Sequence, residues 1–138
     1  MTDCIFCQIV SGAIPSSQIY EDEKVLVFLD ITQVTPGHTL IIPKQHCKNL
    51  IDMSADTARQ VFGVVPKLAQ ALVKATGADG INLINNSEEA AGQTVFHAHI
   101  HLLPRFAAGD GLDIRFVQNE PDFGKIAELA KHIQQEVN

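Results

Sequence analysis

The chain has 138 residues, 46% of them apolar and 19% charged, with no tryptophan and a formal charge of −6. A chain of this length holds one core rather than two independent lobes, and its apolar share rules out wholesale disorder. The acidic balance argues against a binder of long nucleic acids or anionic membranes, which need a face rich in Lys and Arg.

The start, MTDCIFCQIV, carries Asp3 and no basic residue, unlike a secretory leader, and no apolar run approaches the roughly 20 residues of a spanning helix. Three cysteines, Cys4, Cys7 and Cys47, make an odd count without a leader. The reducing cytoplasm is therefore the expected compartment, and a disulfide framework is not expected. No repeat, low-complexity tract or linker divides the sequence, so a single domain over residues 1–138 is expected.

After a short apolar N-terminal segment, Gln18 to Glu21 and Val25 to Asp30 flank a polar turn and predict two strands. Pro36-Gly37 marks a turn, and Thr39 to Ile42 predicts a third strand, stopped by Pro43. Ser54 is placed to cap a helix, with Asp56 in its first turn. Apolar residues then recur at Val61, Val64, Val65, Leu68, Leu72 and Val73 as far as Gly77. Pro66 lies inside this long central helix and predicts a kink or break. Ile81 to Asn85 reads as a strand, Asn86 to Gly92 as a loop, and Thr94 to Leu103 as a strand ended by Pro104. A C-terminal helix over about residues 121–136 opens at Pro121-Asp122, with Phe123, Ile126, Leu129, Ala130 and Ile133 on one face. The order predicts an α+β fold: an antiparallel sheet of about five strands with helices beside it.

The most informative run is Thr94 to Leu103, where His97, His99 and His101 alternate with Ala98, Ile100 and Leu102. A strand has a side-chain period of two, so one face is core and the other carries imidazoles about 6.6 Å apart. Imidazoles this close disfavour one another's protonation and keep at least one neutral near pH 7. Three readings follow. The histidines decorate an exposed face, they jointly ligate a metal that activates water, or they divide the work between a nucleophile and a phosphate holder.

His97-Ala98-His99-Ile100-His101-Leu102-Leu103 resembles the pattern His-φ-His-φ-His-φ-φ, with φ apolar, of the histidine triad (HIT) family. Phe28 to Ile31, Pro36 to Lys44 and Asn86 to Thr94 resemble further segments of that family, so the likeness spans about residues 4–110. It implies a HIT-like fold and a nucleotide-binding hydrolase that acts on nucleoside 5′-phosphoramidates or related purine nucleoside 5′-monophosphate conjugates. His99 would attack the α-phosphorus to form a nucleotidyl-histidine, with His101 and His38 as its catalytic partners. No catalytic metal would be needed if fixed donors neutralise the phosphoryl oxygens. Those donors would be His101, Thr94, Gln93 and backbone N–H groups near Gly92. Asp30 would accept from the ribose hydroxyls, Asn86 would help hold the nucleotide, and Phe6, Phe28 and Ile31 would flank the base.

Cys4-Ile5-Phe6-Cys7 offers two metal ligands of the four that structural zinc requires. The resemblance supplies His46 and His97 as the other two and so implies a structural zinc ion. Cys47 is expected on the opposite face of a strand, as a non-ligand. The family also implies a homodimer. Two alternatives stay open: a dinucleoside polyphosphate hydrolase of the same family, and a nucleotide-binding or partner-binding module with incidental hydrolysis.

Overall fold

The computed structural model of the protein describes residues 3–137; the first two positions and the last of the expected 1–138 domain lie outside the described residues. Helix α1 (Ile5–Ser11) opens the chain, a segment to which the sequence pattern assigns no element. Cys4 caps it by accepting from the Cys7 amide, and Gly12, at φ 84°, closes it by donating to the carbonyls of Gln8 and Ile9. Phe6 and Ile9, three residues apart, are its buried face.

Strands β1 (Gln18–Glu21), β2 (Val25–Leu29), β3 (Thr39–Pro43), β4 (Gly80–Ile84) and β5 (Ile100–Arg105) form one antiparallel sheet in the order β1-β2-β3-β5-β4. Both faces of the central strands are covered. Val25, Val27, Ile41, Ile100 and Leu102 pack on Val61, Val64, Leu68 and Leu72 of the helical layer, while Leu26, Phe28, Leu40 and Ile42 pack on Phe6 and Ile9. That two-sided burial is why β2 and β3 read as continuous apolar runs without a polar face.

The expected central helix is two helices, α2 (Ala55–Gly63) and α3 (Val65–Thr76), with Val64 between them. Ser54 caps α2 through the Thr57 amide, and Gly77, at φ 73°, ends α3. Pro66 sits in the first turn of α3, where its missing N–H would have had no helical partner. The chain therefore breaks two residues earlier than the proline itself.

The histidine strand is shorter and later than expected. Residues 94–99 are not strand, and β5 starts at Ile100. The Ala98 amide donates instead to the Cys47 carbonyl, outside the sheet. Pro104 does not end β5, because β3 pairs with it only as far as Leu102 and the next amide on that side has no acceptor to lose. The Pro104 carbonyl accepts the Thr35 hydroxyl at 2.8 Å.

Helix α4 (Phe123–Glu136), capped by Asp122, buries none of its residues. No helix among the described residues is long and apolar enough to cross a membrane.

Candidate active site and metal centre

The three histidines stay on one side of the chain although only His101 belongs to a strand. Leu40, which pairs with His101, faces α1, whereas Ile41, which pairs with Ile100, faces the helical layer. The Phe6 ring of α1 meets His97 and His99 edge-on, at 5.8 and 5.1 Å between centroids.

Fixed backbone partners assign the tautomers, since a carbonyl only accepts and an amide only donates. Nε2–H of His97 donates to the Pro43 carbonyl at 2.8 Å, which leaves Nδ1 with its lone pair. Nδ1–H of His99 donates to the His97 carbonyl at 2.8 Å, which leaves Nε2 as the unprotonated nitrogen. The Val34 amide donates to Nδ1 of His38 at 3.3 Å, so Nε2 of His38 carries the proton and donates to Nδ1 of His101 at 2.9 Å. His101 is then left with Nε2–H as a donor. The run thus holds one ligand-ready nitrogen, one nucleophile-ready nitrogen and one donor.

Burial supports the neutral forms. Desolvation lowers the basicity of His38, His97 and His99, against Asp30 in the cases of His38 and His99. At His101 burial, then the neighbouring His99 and His38, brings the pKa down to about 4. Burial raises the Asp30 carboxyl, but the hydroxyl and amide of Thr32, with His38 and His101, outweigh it and leave it below the usual carboxylate value. Asp30 spends Oδ1 on Thr32, and its Oδ2 lies 3.7 Å from Nε2 of His38.

Beside the histidines lies an apolar cleft of about 240 Å³. Its wall includes Phe6, Ile9, Phe28, Leu40 and Val95, with Asp30 as its carboxylate. Phe6 and Phe28 are buried and meet edge-on, so they are floor and core at once, whereas Ile31 is 98% exposed at the rim.

The loop before His97 gives a mixed outcome. Among the described residues, the side chains of Asn86 and Thr94 have no hydrogen-bond partner, so both are free for a ligand. Gln93 is not. Its Oε1 accepts from Asn49 and from the Glu88 amide, and its Nε2 donates to the carbonyls of Lys48 and Val95. Gln93 shapes the loop instead of offering a free donor. The amides of Gly92 and Gln93 are likewise spent on the carbonyls of Glu89 and Glu88. Gly92 is needed for its φ of 96°, since a Cβ there would touch Asn86 only at ordinary contact distance.

On the far side of His97, Cys4, Cys7, His46 and His97 bring their ligand atoms within 4.8 Å of one another. Nδ1 of His97 lies 3.4 and 3.6 Å from the sulfurs of Cys4 and Cys7, and Nδ1 of His46 lies 3.4 Å from Cys7 and 3.2 Å from His97. A tetrahedral zinc with usual bond lengths needs edges of about 3.3 Å between nitrogens and about 3.6 Å between nitrogen and sulfur. The donor set and its spacing fit that ion. Cys47 stays out of the cluster, though not through strand alternation, because residues 44–48 are irregular chain.

Sequence reasoning missed the groups that fix these side chains. Asn85 donates to the His99 carbonyl at 2.9 Å, and buried Asn49 joins Gln93 to the half-exposed Glu88. Only Asn85 had a signal, as the neighbour of Asn86.

Fold and histidine run together define a histidine triad protein. The chain belongs to the HIT family, whose HIT domain model matches residues 11–108. It is 48% identical to Protein hit of Bacillus subtilis, over 88% of this chain and 83% of that one. It is 44% identical to an adenylylsulfatase of Arabidopsis thaliana, over 75% of this chain and 52% of that one. It is 34% identical to an adenosine 5′-monophosphoramidase of Candida albicans, over 97% and 91%. A solved Streptococcus mutans structure superposes with a TM-score of 0.96 at 61% identity, covering 100% of this chain and 87% of that one. A zinc-bound HIT family protein of Mycobacterium smegmatis superposes with a TM-score of 0.76 at 39% identity, covering 99% of each.

Proposed function

We propose that the protein is a nucleotide-binding hydrolase that acts on purine nucleoside 5′-phosphoramidates or related 5′-monophosphate conjugates through a nucleotidyl-histidine. The observation that carries this reading is the unprotonated Nε2 of His99, held by the His97 carbonyl beside a cleft with a carboxylate in its wall. Nε2 bonds to the α-phosphorus as the P–N bond breaks, and the departing amine keeps that electron pair and takes a proton from solvent. Water then adds its oxygen to phosphorus and gives up a proton to solvent. His99 leaves as the neutral Nδ1–H imidazole, and the nucleoside monophosphate is released.

His101 Nε2–H, the Thr94 hydroxyl and Asn86 supply fixed donors for the phosphoryl oxygens, Asp30 Oδ2 takes a ribose hydroxyl, and the apolar cleft takes the base. Gly92 and Gln93 hold the loop from which Thr94 reaches the phosphate. At about 240 Å³ the cleft is smaller than the roughly 300–1,000 Å³ of pockets that enclose whole drug-sized ligands, which favours one nucleoside over two. Two relatives are named for removing a group from an adenosine 5′-phosphoryl, an amine in one and sulfate in the other, which supports that substrate class.

Cys4, Cys7, His46 and His97 hold structural zinc in this reading, away from the reacting atoms. Bound there, the ion supplies no chemistry to the substrate and pins the N-terminus to the histidine run. Ligand cysteines must stay reduced, which suits the cytoplasm. The chain forms one HIT domain with α4 appended, and works as a homodimer: β4 is an open sheet edge and α4 has an uncovered apolar face.

The test compares turnover of adenosine 5′-phosphoramidate with that of diadenosine polyphosphates by one preparation, with the α-phosphorus radiolabelled. Faster turnover of the phosphoramidate and label trapped on protein under an acid-free quench are expected. Faster turnover of the polyphosphates would move the assignment to that branch, and label that never resides on protein would exclude the covalent route.

A further inference from the structure

Residues 106–112, which follow β5, fold back over the loop between β2 and β3. The Asp110 carboxylate shapes this strap: Oδ2 accepts from Nε of Arg105 at 2.8 Å and from the Phe106 amide at 3.0 Å, and Oδ1 accepts from the Leu112 amide at 3.1 Å. Arg105 is anchored in turn by Asn82 of β4 and the Leu112 carbonyl. Between Asp110 and Leu112, the Gly111 amide donates to the Val34 carbonyl at 3.1 Å. A Cβ at position 111 would lie 2.2 Å from that oxygen and 3.2 Å from its carbon, so only glycine permits this approach.

Val34 is also the residue whose amide donates to Nδ1 of His38. The rest of its loop is held by Gln33, whose side chain bonds the carbonyls of Asp30 and His38 and the Gly37 amide, and by Thr35. None of those bonds reaches the Val34 main chain. Val34 is 37% exposed and follows Gln33 at φ 40°, so little besides Gly111 and His38 fixes its orientation.

We propose that Gly111 is a positioning residue for the histidine site. By clamping the Val34 carbonyl it aims the Val34 amide at His38, which selects the Nε2–H tautomer of His38 and thereby leaves His101 with the Nε2–H that faces the phosphoryl group. The inference rests on the reading of His101 as a phosphoryl donor. With a side chain at position 111 the strap and Val34 must part. His38 Nδ1 then loses its donor, the ring populates its other tautomer, and that tautomer has no Nε2 proton to give His101.

The test is nitrogen-15 NMR of the histidine rings beside steady-state kinetics on adenosine 5′-phosphoramidate, for Gly111→Ala and for Asp110→Asn, which loosens the strap without a clash. Both folded variants are expected to show a mixed His38 tautomer, with kcat down about tenfold or more and KM within about threefold, as for a misplaced catalytic group. Asp110→Asn decides alone if Gly111→Ala does not fold. A His38 ring that keeps its tautomer in the folded variants, or a changed tautomer with unaltered kcat, overturns the inference. Full turnover by His99→Ala would instead refute the covalent reading and leave the tautomer result standing.

Discussion

Nδ1 of His99 donates to the main-chain carbonyl of His97 at 2.8 Å, while the His97 side chain turns its own Nδ1 to Cys4, Cys7 and His46. One residue therefore belongs to two centres. Its ring is in the cysteine cluster, and its carbonyl fixes the tautomer and direction of the His99 ring, the proposed nucleophile. Anything that moves the cluster moves the His99 ring with it, through a single residue.

Removing the nucleophile should separate chemistry from folding. His99 is only 8% exposed, but it belongs to neither apolar core cluster and meets the Phe6 ring, which walls the cleft. His99→Ala is expected to lower turnover of adenosine 5′-phosphoramidate by at least about a thousandfold, as loss of a nucleophile does elsewhere. Nucleotide binding by calorimetry and the far-ultraviolet dichroism should persist. Turnover within tenfold of wild type would refute the role of His99.

Removing the metal should cost stability. A ligand present at a hundred times its Kd contributes about 2.7 kcal/mol, which for a chain of this size is a Tm shift of roughly 10 °C. A strong chelator, or Cys7→Ser, is expected to lower Tm by that order and to lower kcat only as His97 loosens. Zinc added back should restore the chelated wild type but not the variant. A chelator that stops turnover at once at unchanged Tm would place the metal at the reacting atoms instead.

Much of this site was legible because its signals are local. The turn between β1 and β2, the Ser54 cap, the Gly77 stop and the alternation of His97, His99 and His101 each need only a few neighbouring residues. The histidines stay together even where the strand did not form: His97 and His99 both meet the Phe6 ring, and His99 meets His101. Pairing itself is non-local: residues 94–99 have no strand partner, and nothing in their own sequence says so. The same holds for Gln93, whose side-chain carboxamide is taken up by Asn49 and the Lys48 carbonyl on a distant segment, and for Val34 and Gly111, which meet only after the chain has folded back. Helix α1 was hidden by its shortness, since one buried pair, Phe6 and Ile9, is too little periodicity to separate a helix from any apolar segment.

The depressed histidines make a pH signature with a definite sign. An unfolded chain protonates its histidines near pH 6.5, whereas burial pushes His38 and His99 below that value and His101 to about 4. Between those values the unfolded state binds more protons, so stability falls as pH drops from about 6.5 toward 4 and is level above about 7. The Tm measured at saturating zinc should show this slope. The acidic limb of kcat/KM should lie below pH 6.5, because Nε2 of His99 keeps its lone pair there. A limb centred at or above 6.5 would contradict the burial of the nucleophile.

Helix α4 cannot owe its form to its own chain. Phe123, Ile126, Leu129, Ile133 and Val137 are 51–78% exposed along one stripe, and an isolated helix of 14 residues is marginal in water. Covering one such side chain fully contributes about 1.5–3 kcal/mol, so a stripe of five is worth several kcal/mol to whatever buries it. The Streptococcus mutans structure matches this chain over its full length at a TM-score of 0.96, a value that requires α4 to lie in the same place there. In the homodimer proposed above, a second copy of the chain covers this stripe. The double variant Ile126→Asp with Leu129→Asp is expected to shift the protein from dimer to monomer in light scattering at micromolar concentration, with the sheet intact by dichroism. A dimer that survives both charges would refute the role of this stripe and place the joint elsewhere, as at an open sheet edge, β1 or β4.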